Sequence, residues 1–230
     1  MRNPDFGLTG LEALEQRDLK FLIDNFPAPG RSYEEIAELI HTLPSTVESM
    51  LSSDYVFERL FDRRELLLDI SPFLLFSVLL RRTAPETPTG HERRVFNYLA
   101  NLLSLFVRTE RLYRPHPGLD ATYEYLTDMI AEAENASTRE QFMIYSHIGN
   151  YALYLTGLFA DWIDHHHRYR RRLVDREFYV EFGQTYFERA ASHPLAREYG
   201  LDAVFLRLAI MFGHYRDLLD RVARRYLFPA

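Results

Sequence analysis

Between Gln141 and Tyr169, apolar and aromatic residues cover nearly the whole circumference of a helix. Phe142, Met143, Tyr145, Ile148, Tyr151, Leu153, Tyr154, Leu155, Leu158, Phe159, Trp162 and Ile163 leave no polar face for water. A helix of that kind is stable only when other helices pack on every side of it. Ser137 followed by Glu140 has capping-box spacing, so this central buried helix is expected to start at about 137 and to run to about 169. A kink is expected near Gly157.

Other elements follow from period and punctuation. Thr9 and Glu12 have capping-box spacing and predict a helix through Leu11, Leu14, Phe21 and Leu22 that stops at Phe26-Pro27-Ala28-Pro29-Gly30. Ser32 and Glu35 predict a second helix to about His41, Pro44-Ser45 a short third one, and Asp54 to Asp62 a fourth. Ser71 as N-cap with Pro72 at the first helical position launches Pro72 to Arg82. Val95, Leu99, Leu102 and Phe106 alternate four and three along His91 to about Tyr113. Asp120 opens a helix to about Glu134, and Asp175 one to about His193 with Phe178, Phe182 and Tyr186 inward. From Asp202 to about Leu227, Phe205, Leu208, Phe212, Tyr215, Leu219, Val222 and Tyr226 repeat at three-four spacing, a coiled-coil-like seam.

Nothing alternates with period two for long enough to predict a sheet, although Arg64 to Ile70 would tolerate a strand. The class is therefore all-α: a helical bundle around the central buried helix, preceded by a cluster of short helices. Thr83 to Gly90 has linker composition. It divides an N-terminal short-helix subdomain, 1–82, from a C-terminal helical bundle, 91–230.

Composition narrows the classes. With 230 residues at 47% hydrophobic the chain can bury a sizeable core. No cysteine means no disulfide, thiol nucleophile or thiolate metal site. The N-terminus lacks the basic and apolar regions of a signal peptide, and no apolar run approaches the roughly 18 residues that span a bilayer, so a soluble, cytoplasmic protein is expected. A net charge of −6 disfavours a surface that grips nucleic acid throughout. All 27 basic residues but Lys20 are arginine, so any local cluster is a planar, bidentate anion binder.

Four patterns carry candidate chemistry. From Glu34 to Leu51, Ala37 is followed nine and ten residues later by Thr46-Val47, and then by Leu51. That spacing, over about 33–52, resembles a helix-turn-helix, in which a small residue lets two helices cross and a Thr-Val pair opens the recognition helix. His41 stands where the motif has a turn glycine, and the would-be recognition helix has Glu48 and hydroxyls but no Arg or Lys. Glu38 and His41 have the Glu-x-x-His spacing of di-iron bundles, but the second pair that such a site requires is missing, so no metal is predicted.

His147 lies in the central helix with Tyr151 one turn on and Tyr154 beside it. A buried imidazole needs partners, so it is either a satisfied core histidine or part of a ligand pocket, with His214 as a further lining residue. Gly149, Gly157, Gly183 and Gly213 fall inside expected helices, where each costs about 1 kcal/mol against Ala; tight helix crossings or a planar ligand would account for them. Finally, Asp164-His165-His166-His167 precedes Arg168, Arg170, Arg171 and Arg172. Consecutive helical residues diverge by about 100°, so the three histidines cannot converge on one ion. Asp161 and His165, one turn apart, could. The arginines suit a helix C-terminus, or a patch for an anionic partner.

The leading expectation is a non-enzymatic interaction or regulatory protein, homodimeric through the 202–227 helix and free of cofactor. A ligand- or cofactor-binding bundle with a pocket at His147, Tyr151, Tyr154 and His214 is the alternative. A nucleic-acid-associated regulator is the second alternative; the charge balance makes nucleic acid the weaker partner.

Overall fold

The computed structural model describes residues 3–25, 44–62, 70–114, 126–170 and 175–229, together with positions 32, 34, 35 and 38. Among these there is no strand, and 80% of the structure is helical. The all-α bundle expected from periodicity is what forms.

Two compact units are present: Leu8–Ser104 is one, and Met1–Gly7 with Leu105–Ala230 is the other. The Thr83–Gly90 stretch thus lies inside the first of these, which takes in α1 (Gln16–Asn25), α2 (Pro44–Leu51), α3 (Asp54–Asp62), α4 (Pro72–Thr83) and most of α5 (His91–Phe106). Its core joins Phe21, Leu22, Val47, Met50, Leu51, Val56, Leu60, Leu74 and Val78.

Two buried polar knots hold this unit. Asp18 accepts from the Ser71 backbone N–H at 2.7 Å and the Ser71 hydroxyl at 2.6 Å, while Ser71 Oγ accepts from Leu74 N–H and so caps α4 as expected. The same carboxylate accepts from the Glu15 N–H at 2.8 Å, and α1 therefore begins at Gln16 rather than after Thr9. The N-terminal donor is satisfied by Asp18, three positions on, in place of Glu12. The second knot is Arg81, which donates to both oxygens of Glu48 at 2.8 Å, to Asn97 Oδ1 at 2.9 Å and to the Ser77 carbonyl at 3.1 Å.

The other unit contains a 3-10 turn at Asp5–Gly7, α6 (Glu110–Tyr113), α7 (Leu126–Asn135), α8 (Thr138–Leu158), α9 (Ala160–Arg170), α10 (Arg176–Ser192), α11 (Pro194–Glu198), α12 (Asp202–Ile210) and α13 (Phe212–Val222), closed by a π turn at Ala223–Leu227. The Ser137–Glu140 capping box forms and starts α8. Asp175 caps α10 through the Phe178 N–H. In the Leu8–Ser104 unit, the reciprocal bonds of the Ser32–Glu35 pair are in place at 2.8 and 3.3 Å. The expected helix start at Asp120 lies outside the described residues.

α8 is the buried rod: α7, α9, α10 and α13 all pack on it. Glycines set the spacing. A Cβ at Gly149 would stand 2.7 Å from the Phe187 ring, at Gly157 2.6 Å from Leu219 Cβ, and at Gly183 2.4 Å from the Phe212 ring. These three mark helix crossings in which a side chain lies directly on a neighbour's backbone. Gly213 differs, because a Cβ there meets nothing within 4 Å.

Three expected helices are divided. The run 137–169 breaks at Phe159 (φ −123°, ψ 33°), two residues beyond the glycine where a kink was expected, and α9 continues from Ala160. The 202–227 helix is interrupted at Met211 (φ −106°, ψ 26°) and finishes in the π turn. Backbone bonds from Met211 N–H to Arg207 O and from Tyr215 N–H to Met211 O carry the ladder across that interruption. Similarly, the helix from His91 ends at Phe106, and Glu110–Tyr113 is separate.

Candidate functional site

His147 sits well inside the second unit. Its Nε2 lies 3.0 Å from the Leu112 carbonyl, and because a carbonyl only accepts, this nitrogen carries the proton. The ring meets Phe106 edge-on at 5.7 Å and stacks with Tyr151 at 6.3 Å. Burial pushes the imidazole pKa down to about 4; the Leu112 carbonyl opposes that shift and the nearby Arg111 cation adds to it. The residue is neutral at physiological pH and its surroundings are packed rings.

Tyr154 is also buried, edge-on to Phe106 at 5.0 Å, and burial raises its phenol pKa. Tyr151 is half-buried. The structure thus gathers His147, Tyr151 and Tyr154 around Phe106 and Leu112. It does not bring His214 to them: that side chain is exposed on α13, with its ring against Tyr215 at 5.2 Å.

The basic cluster is only partly placed. Arg168 and Arg170 belong to the backbone of α9, and Arg171 and Arg172 lie outside the described residues, as does His41 of the Glu-x-x-His pair. In the helix-turn-helix-like stretch, α2 is described and its Val47, Glu48, Met50 and Leu51 face inward, Glu48 held by Arg81. Its exposed or partly exposed positions are Ser45, Thr46 and Ser49, none of them cationic. Among the described residues no group of three or more His, Asp or Glu side chains is placed to hold a metal ion, and no helix is long and apolar enough to cross a membrane.

A site that the sequence did not single out opens where α8 gives way to α9. The break at Phe159, the start of α9 and the π turn surround a cleft of about 460 Å³. Leu158, Ala160 and Ala223 contribute apolar lining, and Phe159, Trp162 and Phe228 supply rings. The Phe159 ring bridges inward to Tyr154 at 5.4 Å and outward to Phe228 at 5.6 Å. Trp162, expected inside the rod, is 45% exposed, and Phe228 is 56% exposed.

Charges line one side of this cleft. Arg224 Nε donates to both oxygens of Asp220 at 3.0 Å, and its Nη2 donates to Asp161 Oδ1 at 3.1 Å. The bonds and charge of Asp220, then those of Asp161, raise the guanidinium pKa further. One cation therefore ties α9 to α13 through two carboxylates. The signal available in the sequence was the lone tryptophan beside Asp161, which its apolar neighbours masked.

No family model, no curated protein and no solved structure matches this chain.

Proposed function

We propose that this protein is a non-enzymatic helical interaction protein that works as a homodimer through the outer face of α12 and the start of α13. The three-four seam that motivated self-association in the sequence is consumed within the chain: Phe205, Leu208, Phe212, Tyr215, Leu219 and Val222 are all buried. The opposite face supports the reading instead. Leu206 and Ile210, one turn apart, are 49% and 64% exposed, and Gly213 follows with open space where a side chain would be.

Isolated surface leucines need no explanation, but an apolar pair leading into an open glycine is a landing strip for a second helix. A second copy is the occupant that this strip fits by itself, because a two-fold axis sets the exposed Leu206 and Ile210 of one copy against the same apolar pair of the other.

Light scattering during size exclusion tests the reading. The expected result is twice the 27.2 kDa chain mass for the native protein and a monomeric mass for Ile210→Glu, with unchanged circular dichroism because the side chain is already exposed. A mass of one chain across the accessible concentration range overturns it. A dimer indifferent to Ile210→Glu overturns the assignment of the face.

A further inference from the structure

We infer that the cleft beside Trp162 is a receptor for a small organic cation, an alkylated ammonium group on a short apolar stem. The inference is independent of self-association, because the cleft and the α12 strip share no residue. Size admits such a ligand: about 460 Å³ falls within the roughly 300–1,000 Å³ of ordinary small-molecule sites.

Ring chemistry comes first. Phe159, Trp162 and Phe228 all face the cleft, and an aromatic face carries negative charge density that attracts a cation within about 6 Å of its centroid, most strongly at Trp. An ammonium whose charge is spread over methyl groups is weakly hydrated, so it gives up little water on moving between rings. The apolar lining from Leu158, Ala160 and Ala223 suits its methyls and stem.

Charge selects the sign. Two carboxylates, Asp161 and Asp220, face the cleft against the single guanidinium of Arg224, which leaves an excess of one negative charge. Arg224 engages one oxygen of Asp161, whose side chain is 79% exposed. The carbonyl-rich end of α8 and the amide-rich start of α9 oppose each other at Phe159, while the π turn brings a further carbonyl end, so backbone dipoles do not reverse the balance. An anionic ligand would have to detach Arg224 from both aspartates. A cation has only to share Asp161.

Trp162 is the only tryptophan in the chain, so its fluorescence reports on this cleft alone. The purified protein is titrated with choline, with 3,3-dimethylbutan-1-ol as the neutral isostere of the same shape, and with hexanoate as an anion on an apolar stem. The expected result is a saturable change with choline, binding about tenfold weaker for the neutral alcohol, and none for hexanoate at the same concentrations. Phe228→Leu keeps apolar bulk but removes a ring, and should weaken choline about fivefold while leaving the alcohol unchanged. Asp161→Asn should weaken choline by a similar factor and flatten its dependence on salt.

Equal responses to choline and the alcohol would show a merely greasy groove and overturn the inference. So would stronger binding of hexanoate, which would make Arg224 an anion receptor, or the absence of any saturable signal with choline. Light scattering decides self-association separately, so either result can fail without the other.

Discussion

α8 and α9 are two halves of one hydrophobic run, and they meet different fates. In α8 even Ser146, His147, Asn150 and Thr156 are buried, because α7, α10 and α13 close around it. In α9, Ile163 is buried but Trp162 one residue earlier stands half in solvent. α9 is the more polar of the two, because Asp161, Asp164 and the His165–Arg168 run interrupt its few apolar residues. The supply of glycine adds a second difference: Gly149 and Gly157 let the Phe187 ring and Leu219 come down onto the α8 backbone, whereas α9 has no glycine at which a neighbour can approach so closely. Burial follows from composition together with whether neighbours can reach a helix.

This contrast can be broken most severely at the α8–α10 crossing. Phe187 is fully buried, lies against Gly149 and meets the rings of Phe205 and Phe212 at 5.8 and 6.2 Å. Phe187→Ala should cost about 3–5 kcal/mol in urea unfolding, because the rigid glycine crossing cannot collapse into the void. A cost below about 1 kcal/mol would mean that the contact is not a close-packed one.

His147 gives the next effect, on pH dependence. Its folded pKa of about 4 lies below the ordinary 6.5, so the neutral form is the one the fold accepts. The stabilisation is complete above about pH 6.5 and is lost as the pH falls through that value toward 4, amounting to on the order of 3 kcal/mol. The difference between the urea midpoints of the native protein and His147→Gln, followed from pH 7 to 4, isolates this contribution from that of other groups. His193, also pushed down by burial, titrates in both proteins and cancels in the difference. A constant difference across that range would contradict the buried, neutral assignment.

The smallest effect is expected on α9. Trp162→Ala should change stability by only about 0.5 kcal/mol, measured in the same urea assay, since nearly half of the ring is already in water. A large loss would turn the cleft wall into a structural support and erase the distinction between the two helices.

Much of the architecture was legible because it rests on local rules. The Ser137–Glu140 box, the Ser71-Pro72 start and the helix start at Asp175 rest on hydrogen bonds between residues three apart, and all three form. α1 starts later than Thr9 because Asp18 closes a local cap on the Glu15 N–H, and the same carboxylate is held by Ser71, 53 positions away, a contact that no local window contains. Glu48 is likewise held from a distance: its partner Arg81 lies 33 positions on, and only the fold brings the two together. The three-four stripe of 202–227 was read correctly as a seam, but periodicity cannot say whose surface it meets, and the partners turned out to be α8 and α10. The cleft was invisible because it is made by a helix break and a π turn, two departures from regularity that leave no periodic trace.

The Arg81 knot has a consequence for how the first unit reaches its native form. One guanidinium binds α2 through Glu48, its own helix through Ser77 and α5 through Asn97, and Asn97 in turn donates to the Thr9 carbonyl. Any arrangement in which one of those segments docks a turn out of place strands a cation away from water, at a penalty of about 3–5 kcal/mol. Greasy contacts tolerate slippage, whereas this junction penalises near-correct assemblies of the same helices.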